Sequence, residues 1–234
     1  MKQLLLLLLA LTIGACSSNN ESSHTTTEAT ETPQAQVTDN TFQDESKSVE
    51  VKKEFQNGDL IFHTSMSGQS RAIQIASNSR YSHVGIVYQE GEEFFVYEAV
   101  QPIKLTPLDD FIKRGKNGHY VLKRVKESVA DLSSGKIAEM KKAGKKYMGK
   151  NYDLQFLWSD DKIYCSELVW KIYKEVFDIE IGKLQQIKDF DLSDPVVQKK
   201  VKERYGTNVP MEEPIITPDR MFKSNLLVTV MEKG

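Results

Sequence analysis

Cys165 is the residue of this sequence best suited to covalent chemistry. It lies in Tyr164-Cys165-Ser166-Glu167-Leu168-Val169-Trp170, ahead of Ile172, Tyr173, Val176 and Phe177, whose spacing predicts a helix with one apolar stripe. A thiol acts as a nucleophile in its thiolate form, and the free N–H groups and positive dipole end of a helix start favour that form. Ser159, Asp160 and Asp161 stand just upstream as candidate caps. The two aspartates would oppose a thiolate if they faced the sulfur, so a cationic partner is needed. A small buried residue on a helix face explains a cysteine equally well from composition alone. Glu167 reads as a solvated or paired flank carboxylate, and neither Ser82 nor Ser166 has a base at a telling spacing.

A base must come from His24, His63, His83 or His119. Residues 82–88 and 93–100 read as two strands joined through Gln89-Glu90-Gly91-Glu92, a hairpin. With a four-residue loop Tyr88 faces Glu93, and His83 then lies directly across from Glu98. Cross-strand partners share a face, so Glu98 could orient the imidazole and favour its charged form. His83 would take a proton and later return it to a leaving group; a satisfied strand-end histidine is the competing account. His63, at the end of the strand over residues 58–63, could line the same cleft or be half exposed. Tyr81 and Tyr164 flank the two key positions and are candidates to bind substrate or donate to an oxyanion; packing explains them equally.

Cys16 is accounted for differently. Residues 1–15 combine a charged start, an apolar run from Leu4 to Ile13 and small residues, which reads as an export leader too short to span a bilayer. Ile13-Gly14-Ala15-Cys16 resembles the bacterial lipobox, in which the cysteine becomes a lipid-modified N-terminus. Residues 16–50 carry seven acids and one base amid Ser, Thr, Glu and Gln, and are expected to form a disordered tether. Residues 51–234, with 26 acids and 29 bases, form one domain of a size that supports a single core. With Cys16 lipidated, Cys165 has no partner for a disulfide. No basic stripe with interleaved aromatics argues for nucleic acid, and no metal-ligand spacing or phosphate-binding glycine loop is present, so no cofactor or metal is expected. The expected location is a lipid anchor facing the periplasm; Ser17, where an aspartate would mark inner-membrane retention, favours the outer membrane.

The positioning elements are legible in outline. Further helices are expected over residues 69–76, from Ser134 through Ile137, Met140, Ala143 and Tyr147 to a stop at Gly149, and from Pro195 to Tyr205. In the last, Val196, Val197, Val201 and Tyr205 fall on one side. Further strands are expected over residues 120–125, after the turn pair Asn117-Gly118, and over residues 226–231. Antiparallel strands with segregated helices make the fold class α+β.

Gly58-Asp59-Leu60-Ile61-Phe62, Tyr81-Ser82-His83-Val84-Gly85-Ile86-Val87, Tyr97-Glu98-Ala99-Val100, Gly149-Lys150-Asn151-Tyr152-Asp153 and Tyr164-Cys165-Ser166-Glu167-Leu168-Val169 together resemble the YiiX/YebB-like proteins. These belong to the circularly permuted branch of the NlpC-type, papain-like amidases and peptidases, and the resemblance spans roughly residues 55–225. It implies a permuted papain-like fold, an antiparallel sheet or small barrel packed against the cysteine helix. It implies Cys165 as nucleophile, His83 as base and then acid, and Glu98 as the group that orients it. The expected function is a cell-envelope cysteine hydrolase that cleaves an amide through an acyl-enzyme, on a small peptide such as one from the cell wall, or on an amino-acid amide. A thiol acyltransferase or lipid thioesterase acting on a lipid-like substrate would require an apolar cleft. A tethered peptide- or amine-binding module is the non-enzymatic alternative.

Overall fold

The computed structural model describes residues 54–234. The leader over residues 1–15, lipidation of Cys16 and the tether over residues 16–50 lie outside the described residues. Along the chain run β1 (Leu60–Ser65), α1 (Ser70–Ala76), β2 (His83–Glu90), β3 (Glu93–Glu98), β4 (Lys104–Pro107), α2 (Leu108–Arg114), β5 (Gly115–Val125) and α3 (Ser134–Lys145). There follow β6 (Asn151–Tyr152), β7 (Lys162–Ile163), α4 (Cys165–Phe177), β8 (Gln185–Gln186), α5 (Pro195–Tyr205), β9 (Pro214–Ile215), α6 (Pro218–Phe222) and β10 (Leu227–Lys233).

The fold is α+β. Its centre is an open antiparallel sheet of order β10-β5-β1-β2-β3-β4, and α4 packs against β2. Alternation along β1 explains the two-sided burial: Leu60 and Phe62 join Leu168, Val169, Ile172 and Tyr173 of α4 in the main core, whereas Ile61 joins Val87, Val96, Phe111 and Leu122 on the other face. Each such side chain removed from water contributes about 1.5–3 kcal/mol. Before β1, the buried carboxylate of Asp59 accepts Nε and Nη2 of Arg124 at 2.6 and 2.8 Å and the Gln56 N–H at 2.8 Å. The motif Gly58-Asp59 therefore pins β1 to β5 and belongs to the scaffold. Among the described residues no helix is long and apolar enough to cross a membrane.

Three expectations are corrected. The β2–β3 hairpin turns at Gly91 and Glu92, pairing Glu90 with Glu93 and Tyr88 with Phe95. Gly91, at φ 63°, supplies the left-handed conformation of a two-residue turn, so the four-residue loop does not form. The resulting shift is two residues, which changes partners but keeps faces: Glu98 continues opposite Gly85 and lies diagonally from His83. Asn117 and Gly118, at φ 59° and 66°, lie inside the long β5 rather than in a turn before it, which places His119 in a strand. β4 and α2, at four and seven residues, are too short for periodicity to reveal.

Candidate active site

Cys165 is the first residue of α4, 3% exposed, and follows Tyr164, whose extended backbone (φ −99°, ψ 168°) leads the chain into the helix. Its two neighbours grip one residue of another segment: Ser166 Oγ donates to the Ile216 carbonyl at 2.8 Å, and the Ile216 N–H donates to the Tyr164 hydroxyl at 3.1 Å. The thiol between them is thereby aimed. Asp160, expected as a possible cap, instead pairs with Lys171 at 2.8 Å, and β7 intervenes before the helix. Glu167 is fully buried rather than solvated; it meets Lys171 at 2.8 Å and accepts the Tyr164 N–H at 3.3 Å. Burial outweighs these partners and raises its carboxyl to about 7.

His83 opens β2 and is 7% exposed. Its Nε2 lies 2.6 Å from Glu98 Oε2, which leaves Nδ1 for its hydrogen bond with the Cys165 thiol. Glu98, at 0% exposure, accepts Thr106 Oγ1 through Oε1 at 2.6 Å, and Arg114 pairs with the same oxygen. Gly85 makes room for this arrangement: a Cβ there would stand 2.3 Å from Val96 Cγ1 and 3.3 Å from Glu98 Cβ.

The electrostatics follow from that chain of contacts. Burial opposes charge on all three groups, yet it is outweighed at each. His83 and, behind it, Arg114 and Thr106 bring Glu98 down to about 2. The thiolate and Glu98 raise His83 to about 9. The charge and hydrogen bond of His83, with the backbone N–H groups of Val84 and Ser166, lower Cys165 below its ordinary value. The site is therefore an alternating series, Arg114 positive, Glu98 negative, His83 positive, Cys165 negative.

The sequence left Tyr152 without a role, and the structure places its hydroxyl in hydrogen-bond contact with both Cys165 and Gln69. β6 pairs in parallel with β7, putting Tyr152 beside Ile163 two residues before the thiol. Gln101 fixes this segment, accepting the Tyr152 N–H at 2.8 Å and donating to Asn151 at 2.5 Å. Burial and the neighbouring sulfur hold the Tyr152 phenol well above its ordinary range, so it is a donor. Its only sequence signal was its place in Gly149-Lys150-Asn151-Tyr152-Asp153, because a single tyrosine in a loop has no telling spacing.

His63 pairs directly with His83 across β1 and β2, with ring centroids 5.2 Å apart. It is 1% exposed rather than half exposed, and stacks on Phe111 at 4.3 Å. Burial and the adjacent His83 cation lower it to about 3, so it stays neutral. Tyr81 stacks on Phe222 at 4.0 Å and meets Phe62 edge-on, packing that gives it a structural place. The Tyr164 hydroxyl is engaged by Ile216, and its ring packs edge-on against Phe156 at 5.1 Å.

Two cavities meet at this centre. One, which reaches Cys165, is mainly apolar and is lined by residues such as Ala72, Ile73, Phe156, Val197, Val201 and Ile216. Val196, expected on the same helical side, is 43% exposed. The other is a wider, open cleft, less apolar than the first, that includes His63, Gln69, His83, Gln101, Arg114 and Gln155. Ser82, Tyr152, Lys200 and Arg204 line both.

Comparison with known proteins places this geometry among relatives. A family model described as permuted papain-like amidase enzyme, YaeF/YiiX, C92 family, matches residues 54–231. The chain is 44% identical over 178 residues to YiiX of Escherichia coli K12, described as uncharacterized, covering 76% of this chain and 87% of that protein. It is similar to the crystal structure of yiiX from Escherichia coli O157:H7, titled a metalloprotein, with TM-score 0.73 and 44% identity over 77% of this chain and 98% of that one.

Proposed function

This chain belongs to the YaeF/YiiX family of permuted papain-like amidases, and from that premise we propose that Cys165 is the nucleophile of a cysteine amidase, with His83 as its acid and base and Glu98 as the positioning residue. The observation that carries this is the contact series from Cys165 through His83 to Glu98, with the charges already separated. The thiolate attacks the amide carbonyl carbon and forms a C–S bond. The oxyanion that develops is met by the Tyr152 hydroxyl and by the Cys165 N–H, which at a helix start has no carbonyl four residues back. Collapse breaks the C–N bond as His83 delivers its proton to the leaving nitrogen. Water then attacks the thioester, His83 takes a proton from it, and the acid product departs as the thiolate is restored. A solved relative is titled a metalloprotein; among the described residues no three His, Cys, Asp or Glu side chains gather to hold an ion.

The small apolar cavity at Cys165 favours a short aliphatic acyl group over the peptide of a cell-wall substrate. An acyl chain seated there leaves the leaving group in the open cleft. Transfer of the same acyl-enzyme to another acceptor would make the protein an acyltransferase. Export by the leader and anchoring through lipid-modified Cys16, facing the periplasm, would bring such a substrate within reach.

The test sets N-acyl amides of increasing chain length beside cell-wall peptides, with Cys165→Ala as the reference. The expected result is release of free acid and amine by the wild-type protein alone. Its kcat/KM should rise by up to about fourfold per methylene, the equivalent of ~0.8 kcal/mol, until the cavity is filled. Cleavage of peptides with no dependence on chain length would overturn the acyl-chain assignment.

A further inference from the structure

Arg204, on α5, lines both cavities where they meet. Its Nη2 donates to Gln69 Oε1 at 2.9 Å, and its guanidinium carbon stands 4.5 Å from the Phe156 ring centroid. Gln69 also bonds to the Tyr152 hydroxyl, the group in contact with the sulfur. The guanidinium is thus held on two sides, close to the reacting centre.

What it lacks is an anion. The two carboxylates whose charge reaches it are committed elsewhere: Glu203 pairs with Lys200 at 2.5 Å, and Asp153 accepts the N–H groups of Gln155 and Leu157 at 2.8 and 2.6 Å. Among the described residues Arg204 forms no ion pair. Removing a charge from water is unfavourable unless a partner compensates, and a fork of N–H donors beside an open cleft is well shaped for a carboxylate. Cations outnumber anions among the charged residues lining that cleft: Lys113, Arg114, Lys200 and Arg204 against Glu203, with Lys200 paired to Glu203 and Arg114 to Glu98.

We propose that Arg204 recognises a carboxylate on the leaving group, so that the preferred substrate is an N-acyl amino acid. The acyl chain occupies the apolar cavity, and the carboxylate, two bonds from the scissile nitrogen, meets Arg204 at the mouth of the open cleft. This specificity rests on Cys165 being the nucleophile, but its binding component can be measured without turnover.

The experiment is calorimetric titration of the Cys165→Ala protein with N-butanoylglycine and with N-butanoylglycinamide, which share the acyl chain and replace a carboxylate by a neutral amide. The carboxylate is expected to bind at least about tenfold more tightly, in keeping with a charge-assisted pair. Adding Arg204→Gln should erase that preference, with binding of the amide unchanged; Arg204→Lys, which keeps the charge and loses the fork, should retain part of it. Equal affinity for the two ligands, a preference that survives Arg204→Gln, or no binding of either overturns the proposal. Because this protein cannot react, none of these outcomes bears on whether Cys165 is the nucleophile, which thiol labelling reads separately.

Discussion

At the scale of single residues, the site is an alternation of charge in which each member sets the ionisation of the next. Arg114 and Thr106 hold Glu98 as a carboxylate, Glu98 supports the His83 cation, and that cation draws Cys165 toward the thiolate. The pH dependence follows in sign. Activity should rise as Cys165 loses its proton, below the ordinary range of a thiol, and fall as His83 loses its own near pH 9. Glu98→Gln removes a charge that favours the imidazolium. The falling limb of kcat/KM should therefore move to lower pH, by about one to three units, the usual effect of a close opposite charge. A pH profile of the variant checks this, and an unmoved limb would separate Glu98 from the ionisation of His83. Tyr152 completes the set at the sulfur, and its place in the motif over residues 149–153 was its only mark in the sequence.

The elements that carry these residues were legible to different degrees, for physical reasons. The stripe from Leu168 to Phe177 announced α4, and short apolar runs around Ile61 and Ile86, bounded by turn residues, announced β1 and β2. Register was not legible, because a loop of two residues and one of four both suit Gln89-Glu90-Gly91-Glu92. The true pairing sets Glu98 beside Gly85 and diagonal to His83, which preserves their shared face and explains why a glycine occupies the intervening position. Gly85→Ala should therefore damage both structure and site. Its Cβ would be driven to 2.3 Å from Val96 Cγ1, an overpacking that typically costs about 1–3 kcal/mol. Urea unfolding should report the loss, and thiol labelling should slow as Glu98 is displaced; full stability with unchanged labelling would show that the strands give way freely. The cavities were invisible in the sequence, since their walls are drawn from segments as distant as Ala72 and Pro218.

Across the whole molecule, the histidine strand precedes the cysteine helix in chain order. β2 and β3 supply His83 and Glu98, β4 and α2 add Thr106 and Arg114, and only after α3 does the chain return through β6 and β7 to deliver Tyr152 and Cys165. The permuted order was readable from the succession of motifs, and the family match over residues 54–231 agrees with it. That two distant segments form one reactive unit, with His83 charging and activating Cys165, is the central claim. The most direct measurement is the rate of Cys165 alkylation by iodoacetamide as a function of pH, in the wild-type protein and in His83→Ala. The wild-type thiol should react as a thiolate well below its ordinary ionisation range. In His83→Ala, reactivity should appear only at higher pH, because burial then acts on the thiol without the cation that offsets it. Coincident profiles for the two proteins would contradict the account.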